Sequence, residues 1–86
     1  MKYQLAEHIA LTEVDDEAVL IDLNSGGYFG LNHVGAMLMS QLQQQQTVEI
    51  ASASIAEKYH IQHITVINDI ELLIQQLLDQ KLIVAV

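Results

Sequence analysis

Apolar residues alternate with polar ones up to about Leu31 and recur at helical spacing beyond it. From His8 to Val14, Ile9, Leu11 and Glu13 fall on one side of an extended chain and Ala10, Thr12 and Val14 on the other, because strand side chains point to opposite faces in turn. Asp15-Asp16-Glu17 interrupts the alternation as an acidic turn. Ala18 to Leu23 is β-branched and apolar, a second strand. Asn24-Ser25-Gly26-Gly27 is the strongest turn signal in the chain, since Asn and Gly tolerate positive φ, and Tyr28 to Leu31 follows as a short third strand. Two short turns make these strands an antiparallel meander. Gly30 weakens the last strand or lets another backbone come close.

Asn32 predicts an N-cap for a helix from His33 to about Gln43, with Val34, Met37, Leu38 and Leu42 as its apolar stripe. Gln43 to Gln46 closes it as a polar loop, and Thr47 caps a second helix, Val48 to Tyr59, with Ile50, Ala51, Ile55 and Tyr59 on its buried side. His60 to His63 connects to a third helix, capped by Thr65 and running to about Gln80, with Asp69 and Glu71 in or near its first turns. Its apolar set is Val66, Ile67, Ile70, Leu73, Ile74, Leu77 and Leu78, with Leu72 outside it. At helical spacing that set covers an arc of ~140°, wide for a helix packed on one side. Leu82 to Val86 reads as a terminal strand. The fold class is therefore α+β and winged-helix-like: a three-stranded antiparallel β-meander, three α-helices and a short C-terminal strand, in a single domain over residues 1–86.

Composition narrows the function. Eleven Asp and Glu stand against three Lys and Arg, for a net charge of −8. Nucleic-acid binding needs Lys and Arg to displace phosphate counterions, and an anionic membrane surface also repels such a chain. The usual task of a winged helix is reading DNA, yet Val66 to Gln80 contains no Lys or Arg. Cysteine is absent, which removes disulfides, thiolate metal sites and a cysteine nucleophile. No apolar run reaches the ~18 residues of a spanning helix, and the first residues lack the long apolar stretch of a signal peptide. The expected location is the cytoplasm.

Candidate chemistry is sparse. His60 and His63, three apart, could present two metal ligands on a helix, but a polar connector is the simpler reading and zinc would need further ligands. Asp15, Asp16 and Glu17 lack the alternate spacing of a calcium loop and read as a solvated turn. None of Ser25, Ser40, Ser52 and Ser54 sits in a nucleophile elbow. Gly26, Gly27 and Gly30 have no helix directly after them to cradle phosphate. No metal and no cofactor are expected, and no catalytic residue is assigned. What remains is a surface able to bind a chain. The short third strand could be a sheet edge, whose unpaired N–H and C=O groups accept an added strand. The wide apolar arc of the third helix could be the second wall of a groove; periodicity alone favours the plainer reading that it is core.

Tyr28-Phe29-Gly30-Leu31-Asn32, directly after the Asn-Ser-Gly-Gly turn, resembles the third strand and first helix start of the PqqD-like family, also called RiPP recognition elements. Thr47-Val48-Glu49-Ile50, Glu57-Lys58-Tyr59, and Asp69-Ile70 followed by Leu73, Ile74, Leu77 and Leu82-Ile83 are similar in order and spacing. The resemblance covers roughly residues 8 to 84. Two departures touch loop shape: Lys81 stands where the family often has Gly, and glutamines end the first helix where it often has an acidic residue and Gly.

The resemblance implies a non-catalytic domain that binds the leader segment of a ribosomally made precursor peptide. The leader would add as an antiparallel strand to the third strand and pack against the third helix. Carried over by position, Tyr28, Phe29, Gly30 and Leu31 supply the edge, and Val66, Asp69, Ile70 and Leu73 the facing wall. Asp69 would meet a basic residue or backbone N–H of the leader, or else interact only with its own helix dipole. A chain of this length looks like the discrete recognition protein of lasso-peptide pathways, which presents the leader to a separate leader-cleaving cysteine protease. The alternatives are a PqqD-type peptide chaperone for a radical SAM enzyme in pyrroloquinoline quinone biosynthesis, and a winged-helix DNA-binding regulator.

Overall fold

The computed structural model describes residues 1–86. Five strands and three helices run in the order β1 (Tyr3–Leu5), β2 (Ile9–Val14), β3 (Glu17–Asp22), β4 (Tyr28–Leu31), α1 (His33–Gln43), α2 (Val48–Tyr59), α3 (His63–Asp79) and β5 (Ile83–Ala85). The meander is present as an antiparallel sheet in the order β2-β3-β4. β4 pairs with β3 through Ala18↔Leu31, Val19↔Gly30, Leu20↔Phe29 and Ile21↔Tyr28.

The terminal strand has a partner that the sequence pattern did not reveal. β5 pairs with β1 in a separate two-stranded sheet, with Tyr3 opposite Ala85 and Leu5 opposite Ile83. Tyr3–Leu5 is only three residues long, too short for alternation to be read. It is held from outside: the Ala6 N–H donates to Leu82 O at 3.0 Å, and the Val48 N–H donates to Met1 O at 2.9 Å.

The core lies between one face of the meander and the helices. Leu20, Leu38, Met39, Leu42, Ile55, Ile70 and Leu77 are essentially inaccessible to solvent. Two helix faces are rotated from expectation. In α1 the buried residues are Gly35, Leu38, Met39 and Leu42, while Val34 and Met37 are half-buried. In α2, Val48, Ala51, Ser52, Ile55 and Ala56 face inward, whereas Ile50 is exposed. The small residues Ala51, Ser52 and Ala56 let α2 approach its neighbours closely and take the place that Ile50 was expected to fill. In α3 the expected stripe holds, with Val66, Ile70, Ile74 and Leu77 buried and Leu72 exposed.

Side-chain capping sets two of the three helix starts. Asn32 Oδ1 accepts from the Gly35 N–H at 3.0 Å, and Thr47 Oγ1 accepts from the Ile50 N–H at 3.1 Å, each satisfying a first-turn donor. α3 instead starts at His63, with Gln62 as an N-cap that makes no side-chain bond, so Thr65 lies inside the first turn rather than ahead of it. Replacing Thr47 by Ala should therefore cost about 1 kcal/mol of stability, and replacing Gln62 by Asp should add a similar amount. Urea denaturation of both variants checks this; losses of equal size at the two positions would contradict it.

Candidate functional site

Two backbone bonds set the phase of the meander. The Leu23 N–H donates to His8 O and the Asp22 N–H donates to Gly27 O, both at 2.8 Å. With the registers of β2, β3 and β4, odd residues of β3 therefore bond to β2 and even residues to β4. Phe29 and Leu31 thus spend their backbone groups on Leu20 and Ala18. Tyr28 and Gly30 point theirs away from β3, and no strand lies on that side.

Beside this open edge runs a groove of about 380 Å³ between β4, the start of α1 and α3. β4 contributes Phe29, Gly30 and Leu31, and α3 contributes Asp69, Ile70 and Leu73. Leu31 and Ile70 are buried and form the floor, while Phe29 and Leu73 are half-buried and still have surface to cover. Gly30 lines the groove by its backbone alone, since a Cβ there would point with the Tyr28 side chain to the other face of the sheet, where it would meet nothing within 4 Å. Six of the eight residues expected at a binding surface therefore converge. The other two do not line the groove. Tyr28 is 80% exposed, its side chain on the other face of the sheet, so only its backbone serves the edge. Val66 is 4% exposed and belongs to the core.

The sequence reading missed Asn32, Val34, Gly35 and Gln76, which complete the lining. Gln76 lies three residues after Leu73 and seven after Asp69, a helical spacing that could have found it. Gly35 has a packing role: a Cβ there would come within 3.1 Å of Leu31 Cδ2 and 3.4 Å of Leu73 Cδ2. The bare glycine lets α1 sit low against both walls.

Asp69 is exposed and pairs with no basic group of the chain, whose acid–base contacts are the Met1–Glu49 ion pair and the approach of His8 to Asp22 at 3.9 Å. Because α3 starts at His63, Asp69 is beyond the first turn, where the helix dipole acts weakly. Its carboxylate is the one charge on the groove lining, and it is available to a ligand.

The β3–β4 turn that positions the edge is organised by Asp22. Its Oδ1 accepts from the Asn24 N–H at 2.8 Å and the Ser25 N–H at 3.2 Å. Its carbonyl accepts from the Gly26 N–H, with Gly26 at φ 80°, and Ser25 Oγ accepts from the Gly27 N–H at 3.1 Å. β3 thus ends at Asp22, and Leu23 is an exposed turn residue rather than the last of the strand. The two backbone donors, first Asn24 and then Ser25, hold the Asp22 carboxyl below its ordinary value of 3.8, with a smaller contribution from nearby His8.

Comparison with known proteins bears on this geometry. The sequence profile of the family described as coenzyme PQQ synthesis protein D (PqqD) matches residues 17–83. Among solved structures, TbiB1 in complex with the TbiA(beta) leader peptide is 28% identical, with 96% of each chain covered and a TM-score of 0.88. A lasso peptide synthetase B1 complexed with its leader peptide shares the fold at 21% identity, covering 99% of this chain and 100% of the other at a TM-score of 0.89. No curated protein matches the sequence.

The depressed Asp22 pKa has a consequence for acid stability. A carboxyl lowered on folding contributes stability that is present above its unfolded value, about 3.9, and lost as pH falls through the folded value. Wild type should therefore lose stability relative to Asp22→Asn as pH drops through that range. Denaturation midpoints across an acid series test this, and parallel curves for the two proteins would contradict it.

Proposed function

The chain belongs to the PqqD family, and from that premise we propose that it is a non-catalytic carrier of a precursor peptide's leader, which it presents to a separate processing enzyme. The observation that carries this is the open edge of β4 beside an apolar groove. A leader strand would bond to the backbones of Tyr28 and Gly30 and turn alternate side chains into the space between Phe29, Val34 and Leu73. Asp69 would meet a basic side chain or backbone N–H of the leader. The 28% identical TbiB1, solved with a leader peptide, supports a leader as the ligand; in the specific form proposed, the precursor is lasso-type and the enzyme a leader-cleaving cysteine protease. The family description favours a second reading, delivery of a precursor to a radical SAM enzyme of pyrroloquinoline quinone biosynthesis. Absence of Lys and Arg from α3 weighs against DNA. No helix is long and apolar enough to cross a membrane.

Calorimetric titration with leaders of the two precursor types, each against a scrambled control, distinguishes the readings. Tight, sequence-dependent binding of a lasso leader is expected. Gly30→Pro deletes a backbone donor that faces the open edge, a position where a strand tolerates proline. This variant should fold and bind at least about tenfold more weakly, a loss of ~1.4 kcal/mol. Phe29→Pro removes a donor to β3 and should destabilise the sheet itself. Undiminished affinity in folded Gly30→Pro would contradict pairing at that N–H.

A further inference from the structure

Gly30 is a glycine that the free protein does not need. Its backbone is in an ordinary region, since Gly26 is the only glycine at positive φ. No neighbour excludes a side chain there, because a Cβ would meet nothing within 4 Å. Glycine inside a strand is unfavourable all the same: it gives up the most backbone freedom on folding and supplies nothing to pack. A strand glycine with neither need marks a place where another chain comes close.

The bare spot has a definite shape. Side chains alternate along β4, so the missing one belongs to the sheet face of Tyr28, opposite to that of Phe29 and Leu31. On this face half-buried Val19 of β3 stands directly behind Gly30, outside the core cluster. Tyr28, 80% exposed, stands beside it, with Ile21 behind Tyr28. Thr12 and Glu17, both exposed, share the face, Thr12 behind Val19 and Glu17 diagonal to Gly30. The result is a notch floored by the Gly30 backbone, backed by Val19 and flanked by Tyr28. Its open side is the β4 edge, where no strand lies.

We propose that this notch is a specificity site for the leader: the leader residue directly opposite Gly30 carries an aromatic side chain that lies across Gly30 and reaches Val19. This rests on the leader strand proposed above and names what that strand presents on the face away from the groove. The Gly30 backbone groups face the edge, so an antiparallel leader residue bonds to them from directly opposite, with its Cα about 5.5 Å away. Its Cβ then falls on the same face as the missing one. A side chain at residue 30 would lift a crossing ring off the sheet. Glycine lets the ring lie flat over the strand, the arrangement by which aromatic residues compensate glycines at sheet edges. Tyr28 becomes its diagonal neighbour, within reach of an aromatic ring. Leader residues would thus be read alternately, apolar ones by Phe29, Val34 and Leu73 in the groove and an aromatic one by the notch.

The probe is the leader of the precursor encoded beside this chain, made as synthetic peptides with single alanine substitutions and titrated by calorimetry into the full chain. Alanine at the leader position opposite Gly30 should weaken binding to wild type at least about tenfold, as for loss of a buried large apolar group. Val19→Ala should weaken the parent leader but leave that alanine leader unaffected, the non-additivity of two groups in contact. In Gly30→Val, whose added side chain meets no neighbour, this coupling should vanish. Magnetic resonance of the wild-type complex should show the Gly30 Hα protons shifted upfield by the ring above them, and contacts between that ring and the Val19 methyls. Additive effects of Val19→Ala with every leader substitution overturn the proposal, as does a wild-type complex in which no ring touches Val19. The resonance measurement needs no variant, so it decides the matter even if a substitution impairs folding. Failure of wild type to bind any leader strikes the leader reading itself, whereas tight binding without the ring strikes this site alone.

Discussion

β4 is bonded on one side only. Its four residues give Phe29 and Leu31 to β3 and leave the backbone groups of Tyr28 and Gly30 facing away from the sheet. The rest of the structure sets this half-satisfied strand in place. Asp22 orders the turn that begins it, Asn32 caps the helix that ends it, and Gly35 lets α1 pack close beneath it. α3 runs alongside to make the other wall of the groove.

Magnitudes show why edge and groove are needed together. Tyr28 and Gly30 offer two donors and two acceptors, and a net backbone hydrogen bond contributes only about 1 kcal/mol. Micromolar binding requires about 8 kcal/mol after the cost of association has been met. Backbone pairing alone falls short, and it cannot read sequence. Burying one large apolar side chain adds about 1.5–3 kcal/mol, so side chains seated against Phe29, Val34 and Leu73 must supply much of the affinity and most of the selectivity.

The meander was legible because its turn chemistry is local: Asn24 to Gly27 announces the hairpin, and alternation marks the strands around it. The helices were legible from their periodicity, and the fold class follows. β1 was not legible, because three residues carry no period and their partner is far along the chain. The start of α3 misled because Thr65 is a good capping residue, whereas the position is held by Gln62 without a side-chain bond. Ile50 misleads because a hydrophobic residue need not be buried: the inward face of α2 is made instead by Val48, Ala51, Ser52, Ile55 and Ala56.

For the groove, the sequence pattern supplied the strand and the long helix but not the third contributor. α1 begins directly at the end of β4, as the Asn32 cap predicts, but Asn32, Val34 and Gly35 line the groove because that start packs beside α3, which only the three-dimensional structure reveals. Amide hydrogen exchange across β4, with and without leader, tests the central claim most directly. In the free protein Tyr28 and Gly30 should exchange fast and Phe29 and Leu31 slowly, and saturating leader should slow Tyr28 and Gly30 to match. Protection appearing along β2 instead, with Gly30 unchanged, would contradict the account.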